Sequence, residues 1–225
     1  GQNTDAKLCV EWACYIGLEP RAAMSDTYAN FAALKSAESP DAYSILVRDT
    51  GSRVVIAAPH GGGIEPGTSE VARSIAGSDL SYYVFEGRKA GGNQVLHITS
   101  SSFDEPQCLA LLAATPAVVT VHGERSDAPV VFVGGRHIDA VRQIHEVLEP
   151  QGFTVREHTS PDLQGRHPRN ICNLGTGRAG LQLELSLGLR KLLFESLSKA
   201  GRQKPTPMLD TFAGLVRRIL LENGL

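Results

Sequence analysis

Apolar and polar positions follow two periods along this chain, and the switches between them predict strands alternating with helices. Residues 28–37 suit a helix that ends before Ser39-Pro40. Residues 43–48 (YSILVR) and 54–58 (VVIAA) read as strands, joined by a hairpin-type turn at Asp49-Thr50-Gly51-Ser52. Thr68 or Ser69 caps a helix over 70–76 that Gly77 ends. Strands follow at 82–85 and 94–99 (QVLHIT), separated by a glycine-containing loop. Asp104-Glu105-Pro106 opens a helix through 114, with carboxylates at its positive end. Residues 117–121 form a β-rich run ending at His122-Gly123, and 130–133 another strand. An amphipathic helix over 138–148 and a strand over 153–157 come next, then a long loop over 158–180. Residues 181–187 (LQLELSL) alternate strictly, with leucines on one face and Gln182, Glu184 and Ser186 on the other. Helices over 189–199 and 209–222 close the chain. The pattern is that of an α/β fold, a single-domain mixed β-sheet flanked by helices over residues 43–225. Residues 1–42 are assigned a covering role.

The stretch after the second strand, PHGGGIEPGTSE, carries the candidate chemistry. Three consecutive glycines and Pro66 rule out a helix, so His60 and Glu65 sit on a loop at a strand end. Bare backbone between them lets both turn onto one cation, and is expected to leave room beside it for a bulky substrate. In open α/β sheets, ligands bind beyond the carboxyl ends of the strands, where His122 also falls. Two imidazoles and one carboxylate are a catalytic zinc set with a position left for water. A second, unligated carboxylate must then move the water's proton, and Glu184, turned away from the leucine face, is the candidate. A His-Gly pair at a strand end is also an ordinary turn, and a lone strand glutamate ordinarily faces solvent, so spacing alone leaves the metal reading open. His97, beside a strand, is read as a substrate contact or a core histidine. The same glycines resemble an esterase oxyanion loop, but no Gly-x-Ser-x-Gly elbow exists; nor does the loop end in the Gly-Lys-Ser/Thr of a phosphate-binding loop.

Composition narrows the partners. The 225 residues are 42% hydrophobic, enough for one sizeable core, and 22 basic against 24 acidic residues give a net charge of −2. That balance lacks the basic footprint of a nucleic-acid binder. No run of 18 or more apolar residues suggests a membrane span. The first residue is Gly1, which suggests a processed, truncated or tagged chain. Cys9, Cys14, Cys108 and Cys172 form no zinc-finger spacing and are equally compatible with buried thiols or two disulfides.

Beyond the first loop, further motifs fall in a recognisable order: Phe85-Glu86-Gly87, Leu96-His97-Ile98-Thr99-Ser100, Phe103-Asp104-Glu105-Pro106, Val121-His122-Gly123, Gly134-Gly135-Arg136, Asn170-Ile171-Cys172-Asn173 and Leu183-Glu184-Leu185-Ser186. Together, over about residues 43–220, they resemble the phage-type poly-γ-glutamate hydrolase family. The resemblance implies a zinc-peptidase fold similar to carboxypeptidase A, with a mixed sheet of roughly eight strands between helices. It implies hydrolysis of γ-glutamyl amide bonds, with His60, Glu65 and His122 as Zn2+ ligands and Glu184 as general base. The segment CVEWAC and the rest of residues 1–42 match nothing in that pattern.

A polymer bearing a carboxylate on every unit calls for guanidinium forks in the cleft. Of Arg88, Arg125, Arg166, Arg169 and Arg190, the expected substrate contacts are Arg169 and Arg190, joined by Asn170, Asn173 and His97. The expected partner is thus an acidic polymer, with no nucleic acid and no membrane, met by a monomer acting outside the cell or after release. Alternatives are a zinc amidohydrolase for a small N-acyl amino acid, such as an acyl-glutamate, or a cell-wall peptide, and a non-enzymatic module binding an acidic polymer.

Overall fold

The computed structural model of the chain describes residues 26–222, so Cys9, Cys14 and most of the N-terminal segment lie outside the described residues. In chain order the elements are α1 (Phe31–Ala37), β1 (Tyr43–Arg48), β2 (Val54–Gly62), α2 (Thr68–Ala76), β3 (Ser81–Gly87), α3 (Pro106–Ala113), β4 (Ala117–Gly123), β5 (Val130–Gly135), α4 (Ile138–Leu148), β6 (Thr154–Arg156), β7 (Leu181–Leu185), α5 (Leu187–Leu193) and α6 (Pro207–Glu222). Among the described residues, seven strands make one mixed sheet in the order β1-β3-β2-β4-β7-β5-β6, where the resemblance implies roughly eight. β3, β2, β4 and β7 run parallel; β1 and β5 are antiparallel to β3 and β7.

Alternation along these strands builds two cores. Val54, Ile56, Ala58, Val119, Val121, Leu181, Leu183 and Leu185 pack against α2, α4 and α6 on one face. Val55, Ala57 and Val118 pack with Phe31, Leu34, Leu96, Ile98, Phe103 and Leu112 on the other. Coverage of both faces explains why β2 and β4 read as continuous apolar runs. Among the described residues, Cys108 and Cys172 are buried free thiols, and burial pushes the Cys172 thiol up to about 12.

Several local expectations are corrected. β1 and β2 are not a hairpin: β3 lies between them, and the Asp49–Ser52 turn crosses its first residue through Thr50 N–H to Ser81 Oγ (3.1 Å) and Ser81 N–H to Ser52 Oγ (2.8 Å). Residues 94–99 form no strand, since β1 already occupies the outer edge of β3; a 3-10 turn over Asn93–Leu96 buries Leu96 and Ile98 while His97 stays partly exposed. α2 starts at Thr68 after a left-handed Gly67, without a side-chain cap. The hydroxyls of Thr68 and Ser69 serve the preceding loop instead, at Glu65 O (2.9 Å) and Gly62 N–H (3.0 Å). The helix expected over 189–199 stops at Leu193, where Phe194 pairs with Pro205.

Candidate active site

β2 continues through Pro59 and His60 to Gly62 with an irregularity in its pairing to β3 between Ala58 and Gly61. One extra residue there resets the side-chain alternation. Without it, His60 would share the face of Val54, Ile56 and Ala58; instead its ring lies 6.3 Å from Phe103, in the opposite core. Gly62 takes the left-handed region (φ 64°), and a Cβ there would lie 2.5 Å from Gly87 O. A Cβ on Gly61 or Gly63 would run into Ser69 Oγ or the Asn93 amide. His60, Gly61 and Gly62 thus belong to β2 rather than to the expected loop, the chain turns from Gly63, and the bare faces of the glycines are filled by protein, so they leave no space for a substrate.

This turn brings His60 and Glu65 to the end of β4. His60 Nδ1 lies 3.2 Å from Glu65 Oε1 and 3.2 Å from His122 Nδ1, and one donor atom from each residue falls within 4.8 Å of the others. The far ring nitrogens are engaged elsewhere: His60 Nε2 with Ile98 O at 2.8 Å and His122 Nε2 with Ser100 Oγ at 3.4 Å. A carbonyl accepts only, so His60 Nε2 carries the hydrogen and its Nδ1 is bare in the neutral ring. Gly123 N–H donates to Glu65 Oε2 (2.7 Å) and aims that carboxylate. Only a glycine fits at 123, because a Cβ would lie 2.8 Å from Arg190 Cζ and 2.9 Å from Glu65 Cβ.

His60 Nδ1 and His122 Nδ1 face each other at 3.2 Å with Glu65 Oε1 beside them, an arrangement that calls for a proton or a metal cation between the nitrogens. Burial disfavours charge on both imidazoles, yet the Glu65 carboxylate raises His60 above its usual value. Burial and the His60 charge together drive His122 down to about 3. Burial pushes the Glu65 carboxyl up, but His60 overcomes it and holds it at about 2. A proton satisfies the cluster partially; a divalent ion accepting both nitrogens and the carboxylate satisfies it fully, and hydrogen-bonded outer nitrogens are the support zinc-binding histidines use.

Glu184 pairs in register with His122 across β4 and β7 and is 5% exposed. Burial raises its carboxyl well above the usual range, with the Glu65 and Glu124 charges adding to the effect. His97 stacks on His60 with ring centroids 4.0 Å apart, and its Nε2 lies 3.9 Å from Glu65 Oε1. Its Nδ1 bonds Asp26 Oδ1 (2.7 Å), whose other oxygen accepts from Thr99 N–H (2.6 Å). At 36% side-chain exposure, against 2% and 4% for His60 and His122, it is the imidazole of this cluster that reaches solvent.

The other expected contacts separate. Arg190 is buried and directs its guanidinium to three carbonyls, Leu185 O, Pro66 O and Glu124 O, at 3.1, 2.8 and 2.8 Å. Asn170 donates to Gln182 Oε1 and accepts from Cys172 N–H. Asn173 donates to Gly165 O and His167 O and accepts from Gly180 N–H. Arg169 is exposed at the surface of the same loop, and Arg166 pairs with Glu157 at 2.7 Å. Sequence reasoning did not single out Asp26, Ser100 or Gln182. Gln182 left a signal in its place two residues before Glu184 on one strand face, and Ser100 in closing the Leu96–Ser100 motif.

Fold and site together define a mixed α/β protein whose parallel strands carry a His-Glu-His donor set and a buried carboxylate at their carboxyl ends. The chain belongs to the poly-γ-glutamate hydrolase family, whose model matches residues 28–215. It is 43% identical over 180 residues to the SPbeta prophage-derived UPF0714 protein YoqZ of Bacillus subtilis strain 168, covering 79% of this chain and 65% of YoqZ. It is 40% identical over 178 residues to the UPF0714 protein YndL of the same strain, covering 79% of this chain and 70% of YndL. The structure of a bacteriophage poly-γ-glutamate hydrolase superposes with a TM-score of 0.85 at 32% identity, over 88% of this chain and 98% of that one. An apo, zinc-free form of YndL superposes with a TM-score of 0.84 at 38% identity, over 89% and 100%.

Proposed function

We propose that this protein hydrolyses γ-glutamyl amide bonds in poly-γ-glutamate, with Zn2+ held by His60, Glu65 and His122 and with Glu184 as general base. The observation that carries this reading is the convergence of two Nδ1 atoms and a carboxylate within 4.8 Å, with Glu184 in register beside His122. Family membership supports the polymer as substrate, and the zinc-free description of YndL supports zinc as the metal. Bound zinc supplies a Lewis acid that activates water near neutral pH and polarises a carbonyl. Glu184 takes the proton from the water that adds to the amide carbon. It delivers that proton to the leaving nitrogen as the C–N bond breaks.

Arg169 and His97, with exposed polar atoms, contact the polymer's carboxylates and amides. Arg190, Asn170 and Asn173 act from behind, by holding backbone in place. The N-terminal segment contributes through Asp26, which orients His97. No helix among the described residues is long and apolar enough to cross a membrane, and we place the action of a monomer on polymer outside the cell.

The test is to incubate the purified protein with poly-γ-glutamate and follow polymer size, with chelator and then added zinc. Shortening that stops with chelator and returns with zinc is expected. Unchanged polymer beside a cleaved small N-acyl-glutamate would favour an amidohydrolase of small substrates, and polymer bound without cleavage a binding module.

A further inference from the structure

Gln182 lies two residues before Glu184 on β7 and is 2% exposed. Its amide is fully engaged: Nε2 donates to Glu184 Oε1 (3.0 Å) and to Leu163 O (3.0 Å), while Oε1 accepts from Asn170 Nδ2 (2.8 Å). These partners fix which end is which. Reversing the amide would set its oxygen against two acceptors and its nitrogen against a donor. Asn170 is pinned in turn by Cys172 N–H to its Oδ1 (3.0 Å) and is 5% exposed. A chain of buried hydrogen bonds therefore runs from the loop of residues 158–180, through two side-chain amides, to one oxygen of Glu184.

The geometry points to Gln182 as the positioning residue of the general base, with Asn170 setting Gln182, an inference that rests on the proposed role of Glu184. A glutamate side chain has three rotatable bonds, and proton transfer to an attacking water requires its carboxylate within hydrogen-bond reach of that water. β7 fixes the backbone of Glu184, but nothing in strand pairing fixes its carboxylate. Gln182 does, by engaging Oε1, and leaves Oε2 to handle the proton. Gln182 is assigned no contact with substrate or water; it acts through Glu184. Because Leu163 and Asn170 both lie on the 158–180 loop that presents Arg169, a disturbance of that loop by the polymer is transmitted to the base.

The test is a cycle of Gln182→Met and Glu184→Gln, singly and together, with kcat, KM and bound zinc measured on each. Methionine keeps the length of the side chain and removes both donors. Gln182→Met is expected to lower kcat about 10- to 100-fold, the scale of a misplaced catalytic group, with KM and bound zinc unchanged. In the Glu184→Gln background the same change is expected to lower the residual rate no further, since the group it positions is gone. A folded Gln182→Met with the parent kcat, or one whose loss is equally large in both backgrounds, would overturn the inference while leaving the base assignment standing. Parent-like activity of Glu184→Gln alone would defeat the base assignment and this inference with it. If Gln182→Met does not fold, Asn170→Ala carries the same cycle, with a smaller fall in kcat that must also vanish beside Glu184→Gln; a fall that persists there overturns the inference.

Discussion

The two faces of the sheet are made by the same strands and differ in what they do along their length. On the face covered by α2, α4 and α6, residues from Val54 to Ala58, Val119 to Val121 and Leu181 to Leu185 are aliphatic from the amino to the carboxyl end. On the opposite face Val55, Ala57 and Val118 are apolar only at the amino ends. Thr120 and His122 take over toward the carboxyl end of β4, and on β7 this face is polar throughout, with Gln182 and Glu184, all at most 5% exposed. A strand's period of two allows one face to hold the fold while the other turns to chemistry, residue by residue. Burying those polar groups requires hydrogen bonds, which His122, Gln182 and Glu184 have; of the four, Thr120 Oγ1 has no partner among the described residues.

If the faces are separable in this way, changes on each should be read in different measurements. The largest effect is expected from Glu184→Gln, which should lower kcat about 100-fold or more while leaving bound zinc and the denaturation midpoint near those of the parent. Ile144→Ala, on α4 in the aliphatic core, should lower stability by about 2–5 kcal/mol in denaturant titration and leave kcat per folded molecule nearly intact. A large kcat loss in that variant would mean the faces are coupled. Gly62→Val sits between them, since it strains a left-handed position against Gly87 O. It should cost about 1–3 kcal/mol, whereas Gly51→Ala, left-handed with open space around it, should cost less by the same measurement. An innocuous Gly62→Val would show that the turn does not need its backbone conformation. The smallest effect is expected from Arg169→Ala, with a KM for polymer raised about several-fold, kcat unchanged, and the difference shrinking at high salt as exposed charges are screened.

Much of this arrangement was legible in the sequence where local pattern decides it. LQLEL alternates strictly, so the placement of Glu184 opposite the leucines followed from period alone. PHGGGIE announced a turn near a strand end because three glycines hold no helix, although β2 runs on through His60 to Gly62 before the chain turns. What local pattern could not show are contacts between distant segments. The apolar alternation around His97 looked like a strand, but Leu96 reaches the core from a 3-10 turn and Ile98 from just beyond it, because β1, not this segment, pairs with β3. Asp26 reaches His97 across 71 residues of sequence, which no periodicity reveals. Asn170 and Asn173 were read as substrate contacts from their place beside Arg169 on a loop expected to surround the metal. Here both are buried and satisfy turn backbone, a habitual use of asparagine.

His60, Glu65 and His122 are proposed to hold a catalytic zinc, and the direct measurement is elemental analysis of purified parent and His60→Ala protein. Stoichiometric zinc in the parent, retained in Glu184→Gln and lost from a folded His60→Ala together with polymer cleavage, is the predicted result. Zinc retained at the parent level in His60→Ala would contradict it.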